Sequence, residues 1–318
     1  MKTQPVRLVA LPVRQNKYEI VLKGNFLEKG IVLKKLSNKF WVEDISNLFI
    51  CSARGNLKDN GIFVGDNVLF NADALNIKEV LKRKNLLVRP PLANLEQMII
   101  VLAYAPKPDY LMLDKLLLFC GINKINPIIC LNKIEVNKDE NEYIKKVYGK
   151  FYSVLEISAH KKINIDKLKK LLKGKISAFA GQSGVGKSAL INSIFDDEKT
   201  AEGYLSEKIL RGKNTTRHCE LFKVSGKTYI ADTPGFSALS INLLNISYRD
   251  LPAFYPDFAD FSDNCKYNSC MHLKEIDCAV KEAVKTGLID NERYQRYTII
   301  LEDLKEFDKK IKYSRKNV

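Results

Sequence analysis

An eight-residue run near the middle of the chain limits the possible fold more than any other feature. Residues 181–188 read Gly-Gln-Ser-Gly-Val-Gly-Lys-Ser and match the pattern G-x-x-x-x-G-K-[ST]. Glycines at these positions let successive backbone N–H groups turn inward toward phosphate oxygens. The preceding residues 176–180 are typical of a buried strand, and residues 187–195 are typical of a helix. The pattern therefore predicts a P-loop at a helix N-terminus, where the backbone and the helix dipole both favour a bound anion.

The residue types of the loop also assign roles. Lys187 places a positive charge at the β- and γ-phosphates of a nucleotide, and the Ser188 hydroxyl is a ligand for Mg²⁺. We expect nucleotide contacts from the whole turn and the start of its helix, namely Gly181, Gln182, Ser183, Gly184, Val185, Gly186, Lys187, Ser188 and Ala189.

Strand-like and helix-like segments alternate between residues 96 and 232, which predicts a parallel sheet in an α/β domain. Ligands of such sheets bind at the carboxyl ends of the strands. Each short motif at such an end is weak alone, but together they match the elements of guanine-nucleotide sites. The motifs are Asn132-Lys133-Ile134-Glu135, Ser158-Ala159, the P-loop and Asp232-Thr233-Pro234-Gly235.

The first of these motifs predicts the base. Asn132 and the Glu135 carboxylate would read the guanine edge, because an acidic acceptor facing N1–H and the exocyclic amine has the wrong polarity for adenine. Ser158 and Ala159 would close over the base through a backbone amide. Asp232 would hold Mg²⁺ through water, and the Gly235 N–H would meet the γ-phosphate. A P-loop kinase or ATPase is the alternative, and competition between GTP and ATP for binding distinguishes the two.

The order of the motifs is unusual. The base-reading elements precede the P-loop, whereas ordinary GTPases have the P-loop first, so the sequence predicts a circularly permuted GTPase domain. The segment that begins at Asp232 then leads directly into residues 246–318. We therefore expect the state of the γ-phosphate to act on the C-terminal domain.

Residues 1–75 contain short apolar runs separated by turn residues, which predicts a small all-β barrel or sandwich. A five-stranded OB-type barrel that binds RNA is the leading hypothesis, since such barrels bind oligonucleotides on one face. Strand-like runs are expected at 6–10, 18–22, 31–33, 40–42, 48–53 and 68–70. Three aromatic residues are candidates for stacking on bases, although packing in the barrel core is the simpler role for each: Phe40, Trp41 and Phe49.

A late cluster of cysteines indicates a metal site. Cys265, Cys270, His272 and Cys278 supply three thiolates and one imidazole, which is a tetrahedral structural zinc set, although the spacing is not that of a common zinc finger and unligated cysteines are the alternative. The other cysteines lie in apolar surroundings and are expected to be reduced core residues: Cys51, Cys120, Cys130 and Cys219.

The net charge and the composition limit the kinds of partner that the chain can bind. The formal net charge is +15, of which residues 1–75 carry +4, residues 76–245 carry +11 and residues 246–318 carry none. This excess favours a polyanionic partner such as RNA, with a lysine-rich solvated surface as the alternative. No apolar run is long enough to cross a bilayer and the first residues do not resemble a signal peptide, so we expect a cytoplasmic protein without membrane contact.

Taken together, these motifs resemble one family, the circularly permuted GTPases that depend on the small ribosomal subunit (RsgA, also called YjeQ or YloQ). The resemblance covers nearly the whole chain. It rests on residues 51–57 with 64–66, 93–97, 181–192 and 211–218, and on the cysteine and histidine spacing of 265–278.

The resemblance implies a GTP hydrolase that acts in late maturation of the small ribosomal subunit, is stimulated by that subunit and binds its rRNA. The resemblance also implies that the cysteine cluster is a zinc site. It further implies that residues 211–218 are switch I, in which Thr215 or Thr216 ligates Mg²⁺. The catalytic set is then Lys187, Ser188, Thr215, Thr216, Asp232 and Gly235, with magnesium held by Ser188, Thr215, Thr216 and Asp232.

Three positions depart from the family pattern. Glu135 replaces the usual Asp, Asn214 replaces a His of switch I, and Phe236 stands where Ras-like enzymes have a glutamine that orients water. Because a phenyl ring cannot orient water, we expect slow intrinsic hydrolysis that a partner must complete. The alternative is a nucleotide-switched RNA-binding module in which hydrolysis is incidental.

We therefore predict a monomer with three domains: an OB-type barrel over 1–75, a permuted GTPase domain over 76–245 and a mainly helical zinc domain over 246–318. The barrel and the zinc domain are expected to hold rRNA. On the long C-terminal helix the candidate rRNA contacts are Arg293, Arg296, Lys309, Lys310 and Lys312, and a solvated helix face is the alternative.

Overall fold

The computed structural model describes residues 27–53, 57, 61–136, 139–195, 219–232 and 241–316. Over these residues the strands are β1 (Glu28–Leu36), β2 (Lys39–Glu43), β3 (Leu48–Ala53), β4 (Asn67–Asn71), β5 (Asn76–Val80), β6 (Leu86–Val88), β7 (Pro91–Ala93), β8 (Gln97–Ala103), β9 (Asn126–Asn132), β10 (Ser153–Glu156), β11 (Ile176–Ala180), β12 (Glu220–Ser225) and β13 (Thr228–Asp232). The α-helices are α1 (Tyr110–Ile122), α2 (Asp139–Tyr148), α3 (Ile165–Leu172), α4 (Lys187–Ile194), α5 (Pro256–Ser262), α6 (Ala279–Lys285) and α7 (Asn291–Lys316).

The N-terminal part is a closed five-stranded barrel, as the sequence predicts. Its strands run in the order β1-β2-β3-β5-β4, and β4 pairs back with β1. Alternate residues of each strand point inward, so that Val32, Phe40 and Phe70 lie buried in the barrel core. The last strand, β5, follows residue 75, so the barrel extends past the boundary that the sequence suggested. The strand-like runs at 6–10 and 18–22 lie outside the described residues.

The central part is an α/β domain whose strands β10, β9, β8, β11 and β13 are parallel neighbours in that order. The central strand β8 is buried along its whole length, and its side chains alternate between two layers. Met98 and Ile100 face the core beneath α1 and α2, whereas Ile99 and Val101 face the core beneath α3 and α4. Every parallel strand thus ends at the same edge of the sheet.

The hairpin of β12 and β13 joins the barrel to the central domain. β12 is antiparallel to both β13 and β1, so the sheet continues from one domain into the other. Lys34 of β1 forms an ion pair of 3.1 Å with Glu220 of β12. The Tyr229 hydroxyl donates a hydrogen bond of 2.7 Å to Glu43 of β2, and Lys223 lies 3.1 Å from the same carboxylate.

The C-terminal part is helical and packs against α1 and α2 through the same core that lies beneath them. Buried Tyr297 and Leu301 of α7 belong to this core, together with Phe258 of α5. Within the described residues, no helix combines the length and the apolar character that a membrane span requires.

Two arginines of α7 do not have the role that the sequence suggested. Arg293 and Arg296 are 2% and 9% exposed, and both donate to Asp114 of α1. These two are therefore corrected from candidate rRNA contacts to buried ion-pair partners. Lys309 and Lys310, farther along the helix, are exposed.

Candidate nucleotide site and metal centre

The polar motifs meet at the carboxyl edge of the parallel sheet. Asn132 is the last residue of β9, Asp232 is the last of β13, and the P-loop follows Ala180 at the end of β11. Ser158 follows β10 by two residues and is fully buried. The structure thus brings four separate sequence motifs to one site.

The P-loop packs too tightly against its neighbours for side chains at two of its glycines. Gly181 has φ +132°, and a Cβ there would lie 2.2 Å from the Val101 carbonyl oxygen. Gly186 has φ +93°, and a Cβ there would lie 2.4 Å from Nδ2 of Asn132. Glycine is required at both positions because the backbone is left-handed and the space is already filled.

Lys187 opens α4, and its ammonium group lies over the loop. Its Nζ donates to the carbonyl oxygens of Gly181 and Gln182, at 2.7 and 2.6 Å. The side chain is half-buried, and the neighbouring Ser188 is exposed in the first turn of α4. A cation and a hydroxyl thus stand at the open end of a helix whose first N–H groups have no carbonyl partner within the helix.

Asn132 connects two motifs. Its amide nitrogen donates 2.9 Å to the Val185 carbonyl of the P-loop, and its amide oxygen accepts 3.1 Å from the Ala159 N–H. Both groups of the side chain are therefore engaged, and Asn132 holds the loop after β10 against the P-loop. A sequence pattern alone suggests a base-reading residue here, whereas the contacts also make it a brace for the site.

The backbone after β8 contributes contacts that sequence analysis missed. Lys133, with φ +63°, donates 2.7 Å to the Ala105 carbonyl and 2.8 Å to the Gly184 carbonyl. The Asp109 N–H donates 3.0 Å to the side-chain oxygen of Gln182, and the Asp109 side chain caps α1. Any residue type can contribute a main-chain carbonyl or N–H group, so the sequence gives no signal for these contacts.

The loop from Ser158 to Ile163 is a closed turn. Ser158 and Ile163 exchange two backbone hydrogen bonds of 3.2 and 3.0 Å, and the Ser158 hydroxyl accepts 3.0 Å from the Lys161 N–H. The exposed Glu135 lies close to this turn. Its own backbone N–H lowers the pKa of its carboxyl most, and Ser158, Lys161 and His160 lower it further against a small cost of burial. Glu135 is therefore an ionised acceptor at neutral pH.

Three members of the predicted catalytic set lie outside the described residues: Thr215, Thr216 and Gly235. The same holds for the departing positions Asn214 and Phe236. Asp232 is half-buried at the end of β13, opposite Glu220 in the strand register. The roles of these residues toward Mg²⁺ and water stay predictions.

The cysteine and histidine cluster forms a compact donor set beside α6. The Sγ atoms of Cys265, Cys270 and Cys278 and the ring of His272 all lie within 4.8 Å of one another. Nδ1 of His272 is 3.4 Å from Sγ of Cys278, and the sulfurs of Cys265 and Cys278 are 3.9 Å apart. All three cysteines are free, so the separations are those of ligands and not of a disulfide.

The chemistry of this set fits a metal ion. Burial raises the pKa of the Cys270 thiol to about 12, raises that of Cys278 and lowers the pKa of His272. The protein environment by itself therefore disfavours the thiolate charge. A bound cation compensates for that cost, because it stabilises thiolates.

The central domain and most of the length of the chain are similar to known proteins. A family model described as RsgA GTPase matches residues 80–242, which is more than half of the chain. The "Small ribosomal subunit biogenesis GTPase RsgA" of Ruminiclostridium cellulolyticum is 42% identical over 88% of this chain and 95% of its own length. The chain belongs to the RsgA GTPase family. A second family model, described as 50S ribosome-binding GTPase, matches residues 176–311.

Further relatives support the membership in the RsgA family. The protein of the same name from Caldanaerobacter subterraneus is 41% identical over 89% of this chain and 97% of its own. The crystal structure of YjeQ from Thermotoga maritima has a TM-score of 0.75 at 32% identity and covers 88% of this chain and 99% of that one. The structure of YloQ, described as a circularly permuted GTPase, has a TM-score of 0.73 at 30% identity, with 88% and 96% coverage.

Membership in the RsgA family confirms the fold class predicted from the sequence. The barrel, the permuted P-loop domain and the helical region with the cysteine and histidine cluster follow one another in the expected order. The four remaining cysteines are free and buried, as expected.

Proposed function

We propose that this chain hydrolyses GTP to GDP and phosphate and acts in late maturation of the small ribosomal subunit. One observation carries the proposal: Asn132, the residue that would read the base, is hydrogen-bonded to Val185 of the P-loop. This hydrogen bond supports a site in which base recognition and phosphate binding are directly connected. The printed names of the relatives supply the biological process.

The residues at the carboxyl edge of the parallel sheet would have different roles in binding and hydrolysis. The P-loop from Gly181 to Ala189 would cradle the phosphates, and the Lys187 ammonium would neutralise charge that develops on the β- and γ-oxygens. Asn132, Lys133, Ile134 and Glu135 would frame the guanine, with Ser158 and Ala159 closing over it. Mg²⁺, when bound to Ser188, Asp232 and a threonine of switch I (Thr215 or Thr216), supplies further neutralisation of phosphate charge.

The cluster of Cys265, Cys270, His272 and Cys278 would hold one structural zinc ion. In a tetrahedral site with Zn–S bonds of about 2.3 Å, ligand atoms lie roughly 3.5–3.8 Å apart. The separations of 3.4, 3.7 and 3.9 Å among Cys265, His272 and Cys278 are close to that geometry. Four protein ligands leave no open position, so the ion would stabilise the fold and take no part in hydrolysis.

The flanking domains would hold rRNA. In the barrel, Phe40 and Phe49 pack in or against the core, whereas Trp41 is half-buried on the outer face with the Lys34 ammonium 5.8 Å from its ring. Trp41 is therefore the better candidate for base stacking. We place the domain boundaries after β5 and near residue 245, and we expect a cytoplasmic monomer.

The test is GTP turnover by the full chain, measured alone, with purified small ribosomal subunits and with purified large subunits. We expect strong stimulation by small subunits only, because the chain depends on a partner to complete the catalytic site. The variant Lys187→Ala removes the phosphate-facing charge and should abolish turnover under every condition.

Three other results of these measurements would each lead to a different conclusion. Stimulation by large subunits alone would overturn the small-subunit assignment and agree with the description of the second family model. GTP binding with slow turnover under all conditions would favour the nucleotide-switched RNA-binding module. Equal competition by ATP for the site would contradict base recognition by Asn132 and Glu135.

A further inference from the structure

The loop before α3 and the helix itself form the most lysine-rich stretch of the central domain. Residues 160–175 contain seven lysines and a single acidic residue, Asp166. Lys161, Lys162, Lys167, Lys170 and Lys173 are all exposed. We call these five residues the lysine face. It accounts for a large part of the positive charge of the central domain, and no step of the proposed hydrolysis uses it.

Among the described residues, the lysine face forms no ion pair with a carboxylate. None of its five lysines lies within 4.0 Å of a described carboxylate, whereas Lys145 on the opposite layer of the domain pairs with Glu142 and Glu156. The neighbouring helix α4 packs beside α3 and contains no acidic residue. Apart from Lys161, whose charge helps to lower the pKa of Glu135, the positive charges of the face therefore reinforce one another without an ion pair to neutralise them.

The apolar side of α3 is already occupied. Ile165, Leu168 and Leu172 recur at helical spacing and are 7%, 0% and 1% exposed in the core beneath the sheet. A basic amphipathic helix that binds a membrane needs a free apolar side to insert, and α3 has none to offer. The exposed side is almost purely cationic, which suits a polyanion that is bound at its surface.

The residue type further indicates which groups of a polyanion the face would contact. A lysine ammonium is a compact charge without the planar fork that reads base edges. Lys167 and Lys170 lie three residues apart in α3, and Lys173 follows the last helical residue as the C-cap. Along the helix axis the Cα atoms of Lys167 and Lys170 are separated by about 4.5 Å. Such a row suits contacts to successive phosphates and carries no base recognition.

We propose that the lysine face binds the phosphate backbone of RNA, independent of its sequence, as a third RNA-contacting surface beside the barrel and the zinc domain. The inference rests on the proposed function, since the RNA meant is that of the small ribosomal subunit. The Lys161 backbone N–H is bonded to Ser158, so an RNA strand on this face would lie directly beside the loop that closes over the base.

The test compares paired substitutions in the full chain with a non-hydrolysable GTP analogue bound. Lys167→Gln with Lys170→Gln removes two charges from the face. Lys146→Gln with Lys150→Gln removes two exposed charges from the opposite layer of the same domain and is the matched control. Lys167→Arg with Lys170→Arg keeps the charge. Binding to purified small subunits is measured over a range of salt concentrations.

We expect the first pair to weaken binding on the order of tenfold at about 0.15 M salt and to reduce the slope of log K against log salt by roughly 1.5. The control pair and the arginine pair should stay close to the wild type. Intrinsic GTP turnover and the thermal unfolding temperature should be the same in all four proteins, because the substituted side chains are exposed and lie outside the nucleotide site.

Two further probes separate the outcomes. An arbitrary duplex RNA should show the same loss as the subunit, whereas vesicles of anionic lipid should bind all four proteins weakly and equally. Equal binding of the first pair and the control pair to the subunit would overturn the lysine face. A loss confined to vesicles would overturn RNA as its ligand. Failure of the wild type itself to bind small subunits would instead contradict the proposed function.

Discussion

The carboxylate of Asp114 on α1 accepts a hydrogen bond of 2.6 Å from Nε of Arg296 on α7, although the two residues are 182 positions apart. Arg293 donates to the same carboxylate and, at 2.7 Å, to Asp257 of α5. The Tyr148 hydroxyl adds a bond of 2.9 Å to Asp114. Burial works against the charge of Arg293, but Asp114 and Asp257 outweigh it and hold its pKa well above the ordinary value.

This network predicts a large loss of stability when its acceptor is removed. Asp114→Ala leaves two buried guanidinium groups without their shared partner, so the free energy of unfolding should fall by about 3–5 kcal/mol in urea titrations. Asp303→Ala is the matched control, because Asp303 also joins α1 to α7, through Lys115 at 3.4 Å, but is 44% exposed. The control should lose less than about 1 kcal/mol. Equal losses for the two variants would contradict a special role for the buried network.

A second prediction concerns the contact between Gly186 and Asn132. In Gly186→Ala the new methyl group would meet the Asn132 amide at 2.4 Å and displace it from Val185, so GTP affinity should fall on the order of 100-fold. Gly174→Ala is the control, since Gly174 also has a positive φ, +73°, but nothing lies within 4 Å of its added Cβ. That variant should be less stable by about 1 kcal/mol and bind GTP normally. Fluorescent-nucleotide titration measures both, and normal binding by Gly186→Ala would refute the close contact.

The third prediction tests guanine recognition by charge. Glu135→Gln replaces an acceptor by a donor, so GTP should bind on the order of 100-fold more weakly and xanthosine triphosphate more tightly than in the wild type. Glu142→Gln, an exposed substitution on α2, should change neither. An unchanged preference for GTP in Glu135→Gln would remove this residue from the base site.

The ionisation of Glu135 has a direction that can be checked as well. Its pKa is lowered, chiefly by its own backbone N–H and then by Ser158 and Lys161. The carboxylate therefore persists as pH falls and is lost only below the ordinary range near pH 4.3. The ratio of GTP to ATP affinity should stay constant from about pH 8 to about pH 5, because neither base nor the Glu135 carboxylate changes its charge in this range, and a change near neutral pH would contradict the assignment.

The fourth prediction concerns the metal. Cys270→Ser should reduce zinc from one ion per chain to far below that, measured by elemental analysis, and should expose residues 265–278 to proteolysis. Cys51→Ser is the control, because Cys51 is equally a buried free thiol but lies in the barrel core. A wild-type protein that is fully folded without metal would contradict the site.

Local sequence patterns determined many of the secondary-structure elements and the motifs of this protein. The sequence pattern predicts a strand over residues 176–180 and a helix from residue 187, and the structure has β11 at Ile176–Ala180 and α4 at Lys187–Ile194. The P-loop and the cysteine cluster are equally visible, because each depends on residues close together in the chain whose types are required by phosphate or metal chemistry. The order of the motifs then indicates the permutation.

Features that depend on residues far apart in the chain became visible only in the tertiary structure. Arg293 and Arg296 look like surface cations on a charged helix, and they become buried because Asp114 and Asp257 meet them. β5 joins the barrel through pairing with β3 and β4, and the Ala105 carbonyl enters the nucleotide site through its backbone. The physical reason is common to all three: burial and pairing are properties of two segments brought together, and neither segment encodes its partner by itself.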